Sequence, residues 1–312
     1  MGGAVMTGAP ADVEPLARGV WGVVATPFRG VHCAVDTESL GRLVRHYEAV
    51  GATGLTVLGV FGEASTLTAS ERALVLKTAA DETSLPIVAG ITSLATAPAI
   101  DEIETARAVL GERLAAVMIQ VNSPRSDAVV RHLEDIHAAT GTPVVLQDYP
   151  VASGVTISTD DLLRVIGACS FISAVKAEAP PTAAAIARIS AITTASVFGG
   201  LGGQSLLDEL AAGSAGAMTG FSIPEALVAC VNAWLSGDEQ GAREVFTPFL
   251  PLVNFEQQPK IALALRKDLF ARRSFFTERT VRAPGAAFPE QLEPLAISHL
   301  EHAEALLAAG TA

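Results

Sequence analysis

The sequence predicts an α/β protein: a closed parallel (β/α)8 barrel, or TIM barrel, followed by a C-terminal helical appendage. Three observations carry this. Eight short β-branched runs recur along the first two thirds of the chain, and each is followed by a helix-length segment. The runs are apolar throughout instead of alternating, as strands buried on both faces are. Eight such units in about 200 residues or more are the pattern of a (β/α)8 barrel.

In order, the predicted strands are WGVVATPF from Trp21, GLTVLGV from Gly54, PIVAGIT from Pro86, AAVMIQV from Ala115, PVVLQDY from Pro143, FISAVKA from Phe171, ASVFGG from Ala195 and AGAMTG from Ala215. Between them lie helix-like segments such as DTESLGRLVRHYEAVGA, TASERALVLKTAADE and TDDLLRVIGAC. Several of these open on a Thr or Ser cap with an acidic residue soon after. After Pro224 the strand signals stop, and EALVACVNAWLSG, DEQGAREVFTPFLPLVNF, KIALALRKDLFARR and a segment near PEQLEPLAISHLEHAEALLAAG read as helices. The expected division is a frayed tail over 1–18, the barrel over 19–223 and a helical region over 224–312. No linker rich in Pro, Gly or Ser separates the last two, so the helical region is expected to pack on the barrel.

Composition narrows the function classes. Half of the 312 residues are hydrophobic, enough for a sizeable core, and 33 acidic against 21 basic side chains give a net charge of −12. Such a chain repels nucleic-acid phosphates and anionic lipid surfaces, which argues against nucleic acid or membrane as partners. Cys33, Cys169 and Cys230 are far apart and lack CxxC spacing, so neither a disulfide framework nor a zinc site is suggested, and a reducing cytoplasm fits. Residues 1–18 lack the basic start and apolar stretch of a secretory signal. No uncharged apolar run reaches the roughly 18 residues of a spanning helix. Five of the six histidines fall in predicted helices and His32 in a loop, with no HxH at a strand end; no GxGxxG follows a strand. Neither metal nor cofactor is expected.

The sixth run sets one of only four lysines inside an apolar strand, although ammonium groups are rarely buried unless paired. Side chains two apart share a face, so Ile172, Ala174, Lys176 and Glu178 are expected to point the same way. Lys176 and Glu178 then lie toward the carboxyl end, where barrel active sites sit. Desolvation favours the neutral amine there, and a neutral amine attacks a ketone to form a Schiff base. On this segment alone, an ion pair with Glu178 or an amine reaching solvent is the structural alternative.

Other segments weigh on that choice. GVVATPF (22–28), GVFGEASTLTASER (59–72), PIVAGIT (86–92), LQDYPVASG (146–154), the lysine strand, and ELAAGSAGAMTG followed by Pro224 together resemble the dihydrodipicolinate synthase and N-acetylneuraminate lyase family of class I, Schiff-base aldolases. The resemblance spans roughly residues 18 to 280. It implies an imine between Lys176 and a small-molecule 2-oxo acid, and a substrate carboxylate held by backbone amides of the loop Gly59, Val60, Phe61 and Gly62. It further implies that Glu63 holds that loop, and that the chain assembles as a homodimer or homotetramer.

The sequence also departs from the synthase pattern. There the fifth strand ends in YNxP, whose tyrosine relays protons, and an arginine two residues after the proline binds the second substrate's carboxylate. Here the strand ends in QDYP, with Gln147 and Ala152 in those places. The paired threonines of the GTTGE loop are Val60 and Phe61, and VNSPRS after the fourth strand has no tyrosine. These residues do not suit synthesis from pyruvate and aspartate semialdehyde. Gln147, the VKxExP strand, the GGLGG turn with Gly200 and Gly202, and PLVNFEQQPKIALALRK are similar instead to the branch that dehydrates 2-keto-3-deoxy sugar acids such as 2-keto-3-deoxyarabonate.

Gln147 then offers its amide to sugar hydroxyls, or is a satisfied core amide. Glu178 takes the C3 proton or protonates the leaving C4 hydroxyl, or is a plain ion-pair partner. Tyr149 shares a face with Gln147 and either donates to substrate or covers the strand end. The expected function is a Schiff-base lyase that dehydrates, or cleaves by retro-aldol reaction, a 2-keto-3-deoxy sugar acid. A pyruvate-dependent aldolase such as the two family namesakes, and a non-catalytic regulator that binds a 2-oxo acid or sugar acid, are the alternatives.

Overall fold

A computed structural model describes residues 13–310. Eight parallel strands close into a barrel: β1 (Gly19–Val23), β2 (Gly54–Val57), β3 (Ile87–Gly90), β4 (Leu114–Gln120), β5 (Val144–Asp148), β6 (Ile172–Ala177), β7 (Ser196–Gly199) and β8 (Gly216–Thr219). β1 pairs with β8 on one side and β2 on the other, which leaves no free edge. Every run named from the sequence supplies one strand, in order.

Each strand leads into a helix: α1 (Thr37–Ala49), α2 (Ala69–Glu82), α3 (Thr96–Leu110), α4 (Ser126–Thr140), α5 (Thr159–Ala168), α6 (Thr182–Ser190), α7 (Leu206–Ala211) and α8 (Pro224–Leu235). Their starts are set by local chemistry. Asp36 accepts from the Ser39 amide at α1, Thr68 and Glu71 form a reciprocal capping box at α2, and Ser158 accepts from the Asp161 amide at α5, each satisfying an otherwise unpaired helix donor. α8 packs against β1 and so completes the ring of barrel helices, although the sequence alone groups it with the appendage.

Strand alternation sorts the core into two layers. Trp21, Val88, Met118, Val145, Ala174 and Phe198 fill the barrel lumen, while Leu55, Ile87, Val117, Leu146 and Val175 lie under the helices. Each large aliphatic or aromatic side chain so buried contributes roughly 1.5–3 kcal/mol. Ile172 departs from the expected phase: it joins the outer layer, not the face of Ala174 and Lys176. The cause is a bulge. Val144 pairs with Ile172 but Val145 with Ala174, so Ser173 is an extra residue in β6, and one inserted residue reverses the facing of everything before it.

Of the expected tail, residues 1–12 lie outside the described residues; residues 13–18 pass under the barrel floor. The Leu16 amide donates to the Ser173 carbonyl (3.1 Å), its carbonyl accepts from Ser196 Oγ (2.6 Å), and the Ala17 carbonyl accepts from Trp21 Nε1 (3.0 Å). The appendage comprises α9 (Glu239–Phe246), α10 (Leu250–Glu256), α11 (Ala262–Arg272) and α12 (Glu293–Ala308). The single helix expected over 238–255 is split by a 3-10 turn at Thr247–Phe249, because Pro248 and Pro251 lack the amide hydrogens a continuous helix needs. The split carries the end of α10 to the barrel mouth, where buried Glu256 accepts from the Ser222 amide just after β8 (3.3 Å).

Candidate active site

A cleft opens at the carboxyl ends of the strands, lined by Phe61, Gln147, Tyr149, Lys176, Glu178 and Arg266 among others. Lys176 reaches it from the inner face of β6 and is 5% exposed. Its Nζ lies 3.1 Å from Glu178 Oε2, which also accepts from Gln147 Nε2 at 2.6 Å. Gln147 and Lys176 are register partners on adjacent strands, so alternation aims both side chains inward at one level. The Glu178 amide donates to the Asp148 carbonyl at 3.0 Å. This continues the ladder one residue past β6 and holds the carboxylate over the amine.

The loops shape the rest. After β7, the turn Leu201–Gly203 brings the Leu201 amide to Glu178 Oε1 (3.3 Å) and the Gly202 amide to Thr219 Oγ1 on β8 (2.7 Å). Gly200 has no Cβ because one would collide with the Glu178 carboxylate, and one at Gly202, whose φ is +65°, would collide with Gln257 and Arg266. Only glycine suits both demands at 202. After β2, the turn Val60–Gly62 presents Val60 and Phe61 to the cleft, Gly59 lines an adjoining hollow with Val60 and Gln147, and Gly62 is buried with its carbonyl bonded to Thr26 Oγ1 (2.7 Å).

Glu63 ends that turn with a left-handed φ of 54°. Its carboxylate is ion-paired with Lys267 of α11 and accepts from the Arg282 amide at 2.9 Å. Burial pushes the Glu63 carboxyl up and the Lys267 amine down, against their mutual attraction. The pair ties the loop to the appendage.

Three further acids are buried, and the charge of Glu178 acts on two of them, Asp148 and Glu209. Burial, with the Glu178 charge adding to it, pushes Asp148 up to about 6, and leaves its Oδ1 without a partner. Burial likewise pushes Glu209 up to about 7 despite its bond from Thr182 Oγ1 (2.6 Å). Glu256 is pushed up to about 7 by complete burial, against the pull of Arg266 and Ser222. Desolvation first, and then Glu178, raises Tyr149 too.

Of the residues singled out from the sequence, the cleft thus gathers Lys176, Glu178, Gln147, Tyr149, Val60, Phe61 and Gly202, with Gly200 behind Glu178, Gly59 next door and Gly62 beneath. Sequence reasoning missed Arg266, Gln257 and Thr219. The two from the appendage stand within PLVNFEQQPKIALALRK, yet nothing in helical spacing marks a side chain that leaves its helix for a distant barrel mouth. Among the described residues no three His, Cys, Asp or Glu side chains converge as a metal site, and no helix is long and apolar enough to cross a membrane.

A barrel whose sixth strand delivers a buried lysine to its mouth, beside a carboxylate, defines a class of lyases. Comparison with known proteins narrows this to one group. Residues 16–302 match the dihydrodipicolinate synthetase family, and the chain belongs to that family. It is 29% identical over 240 residues to a 4-hydroxy-tetrahydrodipicolinate synthase of Methanothrix thermoacetophila, covering 76% of this chain and 80% of the relative. It is 27% identical over 257 residues to an L-2-keto-3-deoxyarabonate dehydratase of Azospirillum brasilense, covering 78% and 81%. The crystal structure of a dihydrodipicolinate synthase from Rhodopseudomonas palustris superposes with a TM-score of 0.85 at 26% identity, over 93% of this chain and 99% of that one.

Proposed function

We propose that this lyase dehydrates a 2-keto-3-deoxy sugar acid through a Schiff base on Lys176. The observation that carries the reading is the contact of Glu178 with both Lys176 and Gln147: a carboxylate, not a tyrosine hydroxyl, stands beside the amine. The relative named as a 2-keto-3-deoxyarabonate dehydratase lends further support.

Glu178, 3.1 Å from Nζ, takes the proton the amine must shed. The free amine attacks the C2 carbonyl, and the alkoxide takes a proton from nitrogen. Glu178 then returns its proton to the carbinolamine hydroxyl, which leaves as water. The resulting iminium draws electrons from C3, and Glu178 removes a C3 proton to give the enamine. The enamine expels the C4 hydroxyl, which takes the proton from Glu178 and departs as water, leaving a C3–C4 double bond conjugated to the iminium. On a pentonate, Glu178 then carries a proton from C5 to C3, and the C4–C5 enol so formed tautomerises to the aldehyde. Hydrolysis frees Lys176, so one water is lost overall. The amides of Val60 and Phe61 hold the C1 carboxylate, and Gln147 and Tyr149 face the sugar hydroxyls.

Incubation with a 2-keto-3-deoxypentonate tests the outcome. A five-carbon semialdehyde is expected; pyruvate with a two-carbon aldehyde would mean retro-aldol cleavage instead, and binding without turnover would mean a regulator. The same reading makes the enzyme a cytoplasmic homodimer or homotetramer; sedimentation of the purified chain checks the assembly.

A further inference from the structure

Gln120 ends β4 in the same row of side chains as the two residues at the heart of the cleft. It is the register partner of Gln147, which is in turn the partner of Lys176. Ala116 and Met118 of β4 fill the lumen, so alternation turns Gln120 inward too. Its side chain is half-buried, and its Oε1 is fully shielded without a hydrogen-bond partner. Nothing in the fold of the described residues uses that oxygen.

Gln120 and Gln147 line the hollow beside the cleft, a space of about 210 Å³ whose other walls include Leu58, Leu94 and Met118. Val60 and Gln147 border hollow and cleft alike, so the two spaces are continuous. A water occupies about 30 Å³, and the hollow therefore has room for a short hydroxylated chain. Asn122 Nδ2 donates to the Leu94 carbonyl (2.9 Å) and fixes its outer wall.

Buried polar atoms are almost always paired, so an amide oxygen left open on this wall is suited to a donor that arrives with the substrate. With C1 on the Val60–Phe61 amides, C2 on Lys176 and the C4 hydroxyl at Glu178, the hollow receives what lies beyond C4. Resting on the Schiff-base reading of this site, we infer that Gln120 is a specificity-determining residue whose Oε1 accepts a hydrogen bond from the C5 hydroxyl of the substrate.

Steady-state kinetics on a 2-keto-3-deoxypentonate and on 4-hydroxy-2-oxopentanoate of the same C4 configuration, which lacks only the C5 hydroxyl, test this. The wild-type enzyme is expected to favour the pentonate by about 10- to 100-fold in kcat/KM, the scale of a buried acceptor left without its donor. Gln120→Met, of similar length but without the amide, is expected to bring the ratio within about threefold of one, with the loss falling on the pentonate. Borohydride trapping with pyruvate, which has neither hydroxyl, reports whether the variant keeps a folded site. A wild-type enzyme that handles both substrates equally overturns the inference by itself. So does a Gln120→Met enzyme that traps pyruvate yet keeps the wild-type ratio, or that loses both activities alike with the ratio unchanged. No lysine adduct in the wild-type enzyme would remove the Schiff-base reading and this inference together, whereas an adduct without a hydroxyl preference removes only the latter.

Discussion

Replacing Glu178 by glutamine takes away a proton-carrying group and leaves the side chain's size unchanged. In the native site Oε2 accepts from Gln147 at 2.6 Å and lies 3.1 Å from Lys176, while Oε1 accepts from the Leu201 amide at 3.3 Å. Glutamine offers one accepting oxygen, so whichever way it turns, its NH2 meets another donor. An unsatisfied buried donor costs about 1–3 kcal/mol, which lowers Tm by several degrees. Catalysis falls much further. Loss of general acid–base chemistry is expected to reduce kcat by about 10²–10⁴-fold, equivalent to about 2.7–5.5 kcal/mol of barrier. The assay is dehydration of a 2-keto-3-deoxy sugar acid followed by semialdehyde formation, with Tm measured on the same preparation. A folded Glu178→Gln enzyme with kcat within about threefold of wild type, under 1 kcal/mol of barrier, would refute Glu178 as the proton carrier and leave it an ion-pair partner.

Three more outcomes follow from the same geometry. Gly202→Ala forces a side chain into a left-handed position and against Gln257 and Arg266; it is expected to lower stability by about 1–3 kcal/mol and raise KM, and unchanged calorimetry and kinetics would contradict the packing described. Lys267→Met strands the buried Glu63 carboxylate and is expected to cost about 3–5 kcal/mol in urea denaturation, much of it recovered when Glu63→Gln is added; an equal loss in the double variant would show the two residues to be uncoupled. Glu209 is pushed up to about 7 from an ordinary 4.5, so between these values the folded chain holds a proton the unfolded chain has released, and stability declines as pH rises from about 4.5 to about 7. Glu209→Gln is expected to reduce that slope and to add on the order of 2 kcal/mol at pH 8; Asp148 and Glu256 keep the same sign in the variant. An unaltered pH slope would count against a buried, proton-holding Glu209.

The barrel was legible because strands covered on both faces leave continuous apolar runs, and the lysine stood out because it broke one of them. Capping was readable at α2 for the same local reason, since Thr68 with Glu71 is a signal contained within four residues; at α5 the segment TDDLLRVIGAC opens one residue past the actual cap, Ser158. What stayed hidden depends on distant neighbours. The bulge at Ser173 is a matter of pairing with β5, and so the facing of Ile172 could not be read from β6 alone. Residues 13–18 look like any polar-flanked terminus until Leu16 is seen bonded to Ser173 and Ser196 under the floor. Arg266 and Gln257 reach the mouth because two prolines bend the chain between α9 and α10, and no periodicity within α11 records where that helix is aimed. Ala152 had marked the absence of one cation near the cleft; the presence of another, Arg266, needed the structure.

The measurement that bears most directly on the whole account is borohydride reduction of the intact enzyme in the presence of pyruvate, with the modified residue located by peptide mass spectrometry. A single reduced adduct on Lys176, absent from Lys176→Ala, is the predicted result. An unmodified Lys176, or an adduct on Lys77 or Lys260 at the surface instead, would contradict it.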